Sequence, residues 1–349
     1  MKKYGTAPLV ALLVMLAAAR AFAQNVILDS GFTEQTLFNV QDSVTGFDLD
    51  SSGNIYYMQG PGLSIPADTQ ITESTASSGY TSATTLVDYN TPVYGDFLTL
   101  HNSTLFYGES TAGNVSYTGL PVASPPATPT FLANMPGNYD LEFSGTTATT
   151  AAPATTAFVS ANLTFADNSV YALNINTGAY VQVLDTGGDY SGPIAFTSAG
   201  DLLYGESGGT PAGGGIYLFT AAQVNTAITS GTSLQISNGT EIINNVGNSD
   251  FAVVGNDLFQ AFNQYGGTAS LTLYNLSTMT STPIGTVDNS GDFFAGIRDL
   301  DGNLVVADTD NFSTTNFIEI EPVPEPGSAW LGLAGLVIVM AFGRKCASA

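Results

Sequence analysis

A strand–turn–strand unit recurs six times between Gly46 and Asn311, and nothing else in the 349 residues narrows the fold as far. The copies read GFDLDSSGNIYYMQG from Gly46, GDFLTLHNSTLFYGES from Gly95, a longer copy from Tyr139 with an enlarged turn, PIAFTSAGDLLYGESGG from Pro193, DFAVVGNDLFQAFNQ from Asp250 and FAGIRDLDGNLVVADTDN from Phe294. Each starts on an apolar anchor: Phe47, Phe97, Leu141, Ile194, Phe251 and Phe294. The anchors are 50, 44, 53, 57 and 43 residues apart. Such a unit cannot bury its apolar face alone, and a period of this size with two to four strands per unit specifies the blades of a propeller. Short β-branched and aromatic runs broken by Gly, Asn, Asp or Pro make the whole body all-β.

The outer strands follow the same logic. Asp167–Asp185 reads as strand, Asn-Thr-Gly turn, strand, and the runs beginning at Gly215 and Ser270 repeat it. After the sixth copy, NFIEIEP from Asn316 leaves room for one more strand, so EQTLFNV from Glu34 is expected to complete the last blade and close the ring. Ala221–Thr229 is the one short helix the pattern allows. The low-complexity stretches Asn114–Phe131 and Ser144–Ala157 read as mobile inter-strand loops.

Charge is segregated along the chain. All 29 acidic residues lie between Asp29 and Glu325, and Arg298 is the one basic residue between Gln24 and Pro326, which leaves that stretch at 1 − 29 = −28. A body this acidic repels phosphate backbones and anionic lipid, so nucleic acid is excluded as a partner. Cys346 alone permits no disulfide framework, and with His101 as the sole histidine no Cys/His zinc site can form.

The other basic residues belong to the ends. Lys2 and Lys3, an apolar run to Ala19, and Ala21-Phe22-Ala23 before Gln24 have the order of a secretory signal peptide over residues 1–23, cut by signal peptidase. At the other end Pro324-Glu325-Pro326 precedes an uncharged run to Gly343 and then Arg344-Lys345. That run has the length of a short membrane-spanning helix. Pro-Glu-Pro, apolar helix and basic end, in that order over residues 323–349, resemble the PEP-CTERM sorting signal. The resemblance implies recognition of Pro324, Glu325 and Pro326 by a membrane-embedded exosortase, removal of the tail, and a life in the cell envelope, surface or polysaccharide matrix of a bacterium of Gram-negative type. The tail here carries fewer arginines than that family's usual one.

The first and last copies, FDLDSSGNIYY and DLDGNLVVADTDN, resemble NHL-like six-bladed propellers, where a turn of this kind joins two strands of a blade. That likeness speaks to fold rather than activity. The body, residues 24–322, is therefore expected to be a single propeller with the N-terminal strand closing its last blade.

Its chemistry is sparse. No nucleophile elbow or phosphate-binding loop is present. His101 lies in the turn His101-Asn102-Ser103 and reads as an exposed turn residue. Carboxylates are the abundant groups. Asp48, Asp50, Asp299, Asp301, Asp308 and Asp310 are candidates for calcium, which takes six to eight oxygen ligands, and equally for the side-chain hydrogen bonds that shape turns. Glu109 and Glu206, each after Tyr-Gly in a shared YGES, and Arg298 are candidates for the channel mouth. Arg298 is expected to pair with Asp299, Asp301 or another carboxylate. With no evident catalytic set, the body reads as a binding or structural module that meets polysaccharide or cations outside the cell and needs no cofactor, calcium aside. The alternative is a secreted metal-dependent enzyme of lactonase or lyase type.

Overall fold

The computed structural model describes residues 26–323, apart from 60–68, 90–96, 112–113, 123–127, 138, 145–154, 163–167, 188–191, 207–213, 245–247, 264–267, 288–291 and 311–312. The expected signal peptide with Ala21, Ala23 and Gln24, and the expected sorting tail with Pro324, Glu325, Pro326, Arg344 and Lys345, lie outside the described residues. Among those described, no helix is long and apolar enough to cross a membrane.

Two strands precede the first repeat, β1 (Val26–Leu28) and β2 (Phe32–Val40). Blade 1 is β3 (Val44–Leu49), β4 (Ile55–Gln59), β5 (Gln70–Ser74) and β6 (Ala83–Asp88). Blade 2 is β7 (Leu98–His101), β8 (Thr104–Thr111), β9 (Asn114–Pro121) and β10 (Thr130–Met135). Blade 3 is β11 (Asp140–Phe143), β12 (Thr156–Asn162), β13 (Asn168–Asn174) and β14 (Tyr180–Asp185). Blade 4 is β15 (Ile194–Phe196), β16 (Leu202–Gly205), β17 (Ile216–Phe219) and, after helix α1 (Ala221–Ser230) and β18 (Leu234–Gln235), β19 (Thr240–Ile243). Blade 5 is β20 (Asp250–Val254), β21 (Asp257–Phe262), β22 (Ser270–Asn275) and β23 (Thr280–Val287). Blade 6 takes β24 (Phe293–Leu300), β25 (Asn303–Asp310) and β26 (Thr314–Pro322) from the end of the body and β2 from its start.

This is the expected six-bladed propeller, closed as the sequence implies. β2 runs antiparallel to β26 with Gln35 opposite Glu319 and Val40 opposite Thr315. Closure replaces an open sheet edge with a ladder between the two ends of the body. Phe317 of β26 anchors it, stacked on Phe38 of β2 at 4.5 Å and edge-on to Phe47 of blade 1 at 5.2 Å. Two outer pairings were not legible in the repeats: β1 adds to β23 of blade 5, and β18 pairs in parallel with β14 of blade 3.

The core is divided among the seams between blades. Among the described residues six apolar clusters form, and each joins neighbouring blades. All six anchors are at most 3% exposed. Each buried aromatic or aliphatic anchor contributes roughly 1.5–3 kcal/mol, so the repeat spacing is the spacing of the seams. Helix α1 falls where the pattern put it and starts with a capping box between Thr220 and Gln223. Its Val224 and Ala227 close the outer side of the blade 3–4 seam.

One expectation is corrected. Asn114–Phe131 is not one loop, since Asn114–Pro121 forms β9, paired with both neighbours, and Thr130 and Phe131 begin β10. Tyr117 and Leu120, both at most 1% exposed, lie three residues apart and so on opposite faces, Tyr117 in the blade 2–3 seam and Leu120 in the blade 1–2 seam, and burial on both faces outweighs the bland composition. The Ser144–Ala157 stretch lies mostly outside the described residues, and its end, Thr156 and Ala157, opens β12.

Candidate functional site at the mouth of the axial channel

The first strand of each blade lines the axis, and each touches the next until β24 returns to β3. Among the described residues, three aspartates stand beside an anchor: Asp48, Asp140 and Asp250, in blades 1, 3 and 5. Each clamps its blade to the following one in the same way. One oxygen accepts the N–H of the next residue in its own strand, from Leu49, Leu141 or Phe251, each at 2.8 Å. The other accepts an N–H from the next blade: Leu100 at 2.6 Å, Ile194 at 2.8 Å and Ile297 at 2.8 Å. These donors lie on first strands, which have no further strand on their axial side, so the carboxylates satisfy backbone groups that the ladders leave over.

The remaining seams use other groups. Thr99 donates to the Leu141 carbonyl at 2.6 Å between blades 2 and 3. Asn248 donates to the Glu206 carbonyl at 3.0 Å between blades 4 and 5. Arg298 joins blade 6 to both sides. Its guanidinium donates to Asp250 at 2.7 Å and to its own Ile297 carbonyl at 2.7 Å, and its Nε lies 3.5 Å from Asp48. The Phe47 ring lies beneath it, 5.7 Å away. The expected pairing with "another carboxylate" is thus realised with Asp48 and Asp250, not with its neighbours Asp299 and Asp301.

Glu142 adds a fourth carboxyl to this group. Burial, and then the charge of Asp250, push Asp140 up to about 7. Burial and the charge of Asp140 hold Glu142 well above the usual carboxylate range. Burial also raises Asp48 against the pull of Arg298. Burial opposes the charge on Arg298 as well, but the surrounding carboxylates, Asp250 first, more than offset it and hold the guanidinium protonated.

Arg298 separates two cavities. On the side of the turns that join first and second strands lies a pocket of about 370 Å³, walled by Phe143, Phe196 and Phe251, with Thr197, Ser198, Asp299, Glu142 and Arg298 as its polar groups. On the other side a chamber of about 30 Å³ lies against Asp140, Asp250 and Arg298, room for a water molecule. Arg298 therefore plugs the channel and forms part of the pocket floor. His101 stands behind one wall, stacked on Phe143 with ring centroids 3.7 Å apart and planes 8° apart. It is half-buried rather than the exposed turn residue expected, because the flat imidazole finds an aromatic face across the blade 2–3 seam.

The other sequence candidates are scattered. Asp50 accepts from the N–H groups of Ser52 and Asn54 and from the Asn54 and Tyr56 side chains, holding the β3–β4 turn. Asp299 accepts from Gly302 N–H at 3.0 Å in the β24–β25 turn, where Asp301 and Gly302 both have positive φ. Asp308 and Asp310 lie along the far half of β25, several residues, and so on the order of 15–20 Å, from that turn. Those six aspartates therefore do not converge, and among the described residues no group of three His, Cys, Asp or Glu side chains is placed to hold a metal. Glu206 follows β16 at the face opposite the pocket and accepts Gly215 N–H at 2.9 Å. The side chain of Glu109 lies outside the described residues. Of the two channel-mouth candidates whose side chains are described, Arg298 lines the pocket and Glu206 does not.

Asp140, Glu142 and Asp250 were missed. The sequence does carry a signal, an acid next to the anchor, but it occurs in copies one, two, three and five, with Asp96 beside Phe97 in copy two, and so does not single out the three clamping residues.

No protein-family model matches the chain, and no curated protein matches it. Its fold is shared with solved structures. The PQQ domain of pyranose dehydrogenase from Coprinopsis cinerea is similar with a TM-score of 0.60 and 12% identity, over 87% of this chain and 98% of that one. A calcium structure of Carbohydrate-Active Enzymes Family AA12 from Trichoderma reesei gives a TM-score of 0.58 and 11% identity, over 86% and 97%. The PQQ-bound aldose sugar dehydrogenase from Streptomyces coelicolor gives 0.56 and 9%, over 84% and 100%. At these identities the likeness is one of fold.

Proposed function

We propose that this is an exported propeller that binds neutral carbohydrate of the extracellular matrix in the pocket at its channel mouth, and that residues 323–349 hand it to an exosortase. The pocket carries the reading. It sets flat apolar rings against hydroxyl, carboxyl and guanidinium groups, the composition of a small-molecule site. Sugar hydroxyls can donate to Glu142 and Asp299 and accept from Arg298, Thr197 and Ser198. A net charge of −28, the single Arg298 against 29 acids, disfavours anionic ligands and leaves neutral or cationic ones. Binding of neutral oligosaccharides to a protein of residues 24–322, measured by calorimetry, tests it. Phe196→Ala is expected to weaken binding about tenfold, equivalent to about 1.4 kcal/mol. Absence of binding across a broad neutral panel overturns the proposal. The sorting half is tested separately by intact mass from the native host, where a mature chain that still ends at Ala349 overturns it.

A second reading makes the same pocket catalytic. The named neighbours include sugar dehydrogenases and a carbohydrate-active enzyme, an analogy at the level of fold. Glu142 supports it locally, since a carboxyl held protonated beside a pocket is a suitable general acid. PQQ itself does not fit this channel. That quinone carries three carboxylates, while the one cation among the described pocket residues, Arg298, is already engaged by Asp250 and Asp48 and has Asp140 and Glu142 as neighbours. Calcium suits the acidic pocket better. On binding it would displace the Glu142 proton, so that Glu142 and Asp299 would hold the ion, with water and sugar hydroxyls completing the shell, and Glu142 would then not serve as the acid. Turnover of a lactone, ester or glycan that disappears in Glu142→Gln or on chelation establishes this second reading.

A further inference from the structure

A second pocket of about 300 Å³ opens on the same face, over the seam where the ring closes. The β24–β25 hairpin is the wall between the two. Arg298 and Asp299 line the mouth pocket, and Leu300, Asp301 and Asn303, the next turn residues, line the second. Its far wall is Ser51, Ser52 and Tyr80 of blade 1.

Tyr80 is held there at a conformational cost. Its φ is 60°, a left-handed conformation that bulky residues rarely adopt. The other non-glycine residues with positive φ sit in hairpin turns where Asn, Ser, Met or Asp ends a strand. Tyr80 follows Gly79 in the β5–β6 connection, and three contacts fix it. Its N–H donates to the Thr75 carbonyl at 3.0 Å, its hydroxyl to the Gly53 carbonyl at 2.9 Å, and its ring stacks on Phe38 of the closing strand at 5.4 Å. A glycine or asparagine would occupy this backbone without strain, so what the strain maintains is an aromatic ring at the pocket wall.

The rest of the lining consists mainly of acceptors. Asp301 is exposed, Glu319 is half-buried and accepts from Asn303 at 2.8 Å, and the Ser51 and Ser52 hydroxyls can both donate and accept. No cation is among the described residues of this lining, which disfavours phosphate, sulfate or uronate. An aromatic ring and Leu300 beside several acceptors match a ligand with an apolar face and many hydroxyl donors.

From Arg298 to Asp301 the backbone advances roughly 10 Å, the length of a disaccharide. We infer that the two pockets are subsites for one neutral polysaccharide chain laid across the blade 6 hairpin, so that the ligand is a polymer and not a free sugar. The inference rests on the carbohydrate reading of the mouth pocket and extends it from one ring to several. Simultaneous occupation of linked subsites raises affinity without any new kind of contact.

The test is a length series of one neutral oligosaccharide, from monomer to hexamer, titrated into residues 24–322 and two variants with unchanged melting curves. Ser52→Trp fills the second pocket from an exposed turn position, and Asp301→Asn removes an acceptor at a position where asparagine tolerates the backbone. Affinity is expected to climb by at least about tenfold between monomer and tetramer, and both variants to flatten that climb while leaving the monomer's affinity unchanged. Binding with equal affinity at every length, or a climb that neither variant alters, overturns the two-subsite inference and leaves the mouth pocket standing. Failure of every length to bind removes the carbohydrate reading and this inference with it.

Discussion

Both oxygens of Asp140 accept backbone N–H groups, from Leu141 in its own strand and Ile194 in the next blade, yet burial and the charge of Asp250 push the carboxyl up to about 7. Its ordinary value is 3.8. Between these values the native protein holds a proton that the unfolded chain has released. Stability from this group is therefore greatest at the acid side of the window and falls as pH rises through it, by on the order of 3 kcal/mol. Glu142 moves in the same direction. Chemical denaturation from pH 5 to pH 8 is expected to show that decline, and Asp140→Asn, which cannot ionise, to remove much of it. A wild-type profile that rises across the interval contradicts the assignment. The residue scale is where the sequence was least legible. Asp48, Asp140 and Asp250 are equivalent in space, but their acids flank the anchors on different sides, after Phe47 and before Leu141 and Phe251. Glu142 and Asp250 gain their meaning from residues in other blades, which no local pattern displays.

The elements were far more legible, because a seam between blades needs an apolar anchor at each repeat and a strand needs alternation. All six anchors, helix α1 and the closing strand β2 could be read this way. What composition hid was β9, where Gly, Ser and Thr dilute two buried faces, and β18, two residues long and paired outside its own repeat. Closure is the element on which the ring depends, and it can be tested covalently. Thr33 of β2 and Glu321 of β26 are exposed and directly opposed in register. Opposed residues of an antiparallel pair lie within the Cα separation that a disulfide spans. The variant Thr33→Cys/Glu321→Cys is expected to oxidise spontaneously and gain about 2–4 kcal/mol, lost on reduction, because the bridge closes a loop of nearly the whole body. A cross-link that fails to form, or that leaves the unfolding midpoint unchanged, would speak against this pairing.

At the scale of the molecule the governing quantity is charge. The segment from Gln24 to Pro326 carries 29 acidic groups and one arginine, and that arginine is spent inside the channel on Asp48 and Asp250. The exterior is thus left without a described cation, and self-repulsion must oppose folding. Repulsion among exposed charges weakens once the Debye length falls to about 8 Å at physiological ionic strength. The melting temperature of residues 24–322 is accordingly expected to rise between 10 mM and 500 mM NaCl by an amount on the order of 1 kcal/mol, roughly 2–4 °C. Calcium separates screening from binding. If divalent ions only screen, magnesium and calcium at equal ionic strength give equal shifts that follow the salt curve. If Glu142 and Asp299 hold calcium in the mouth pocket, calcium adds a further, saturating stabilisation that follows ligand linkage, magnesium does not reproduce it, and Asp299→Asn reduces it. Equal effects of the two ions, unchanged in Asp299→Asn, remove calcium from the pocket and with it the metal-assisted form of the catalytic reading.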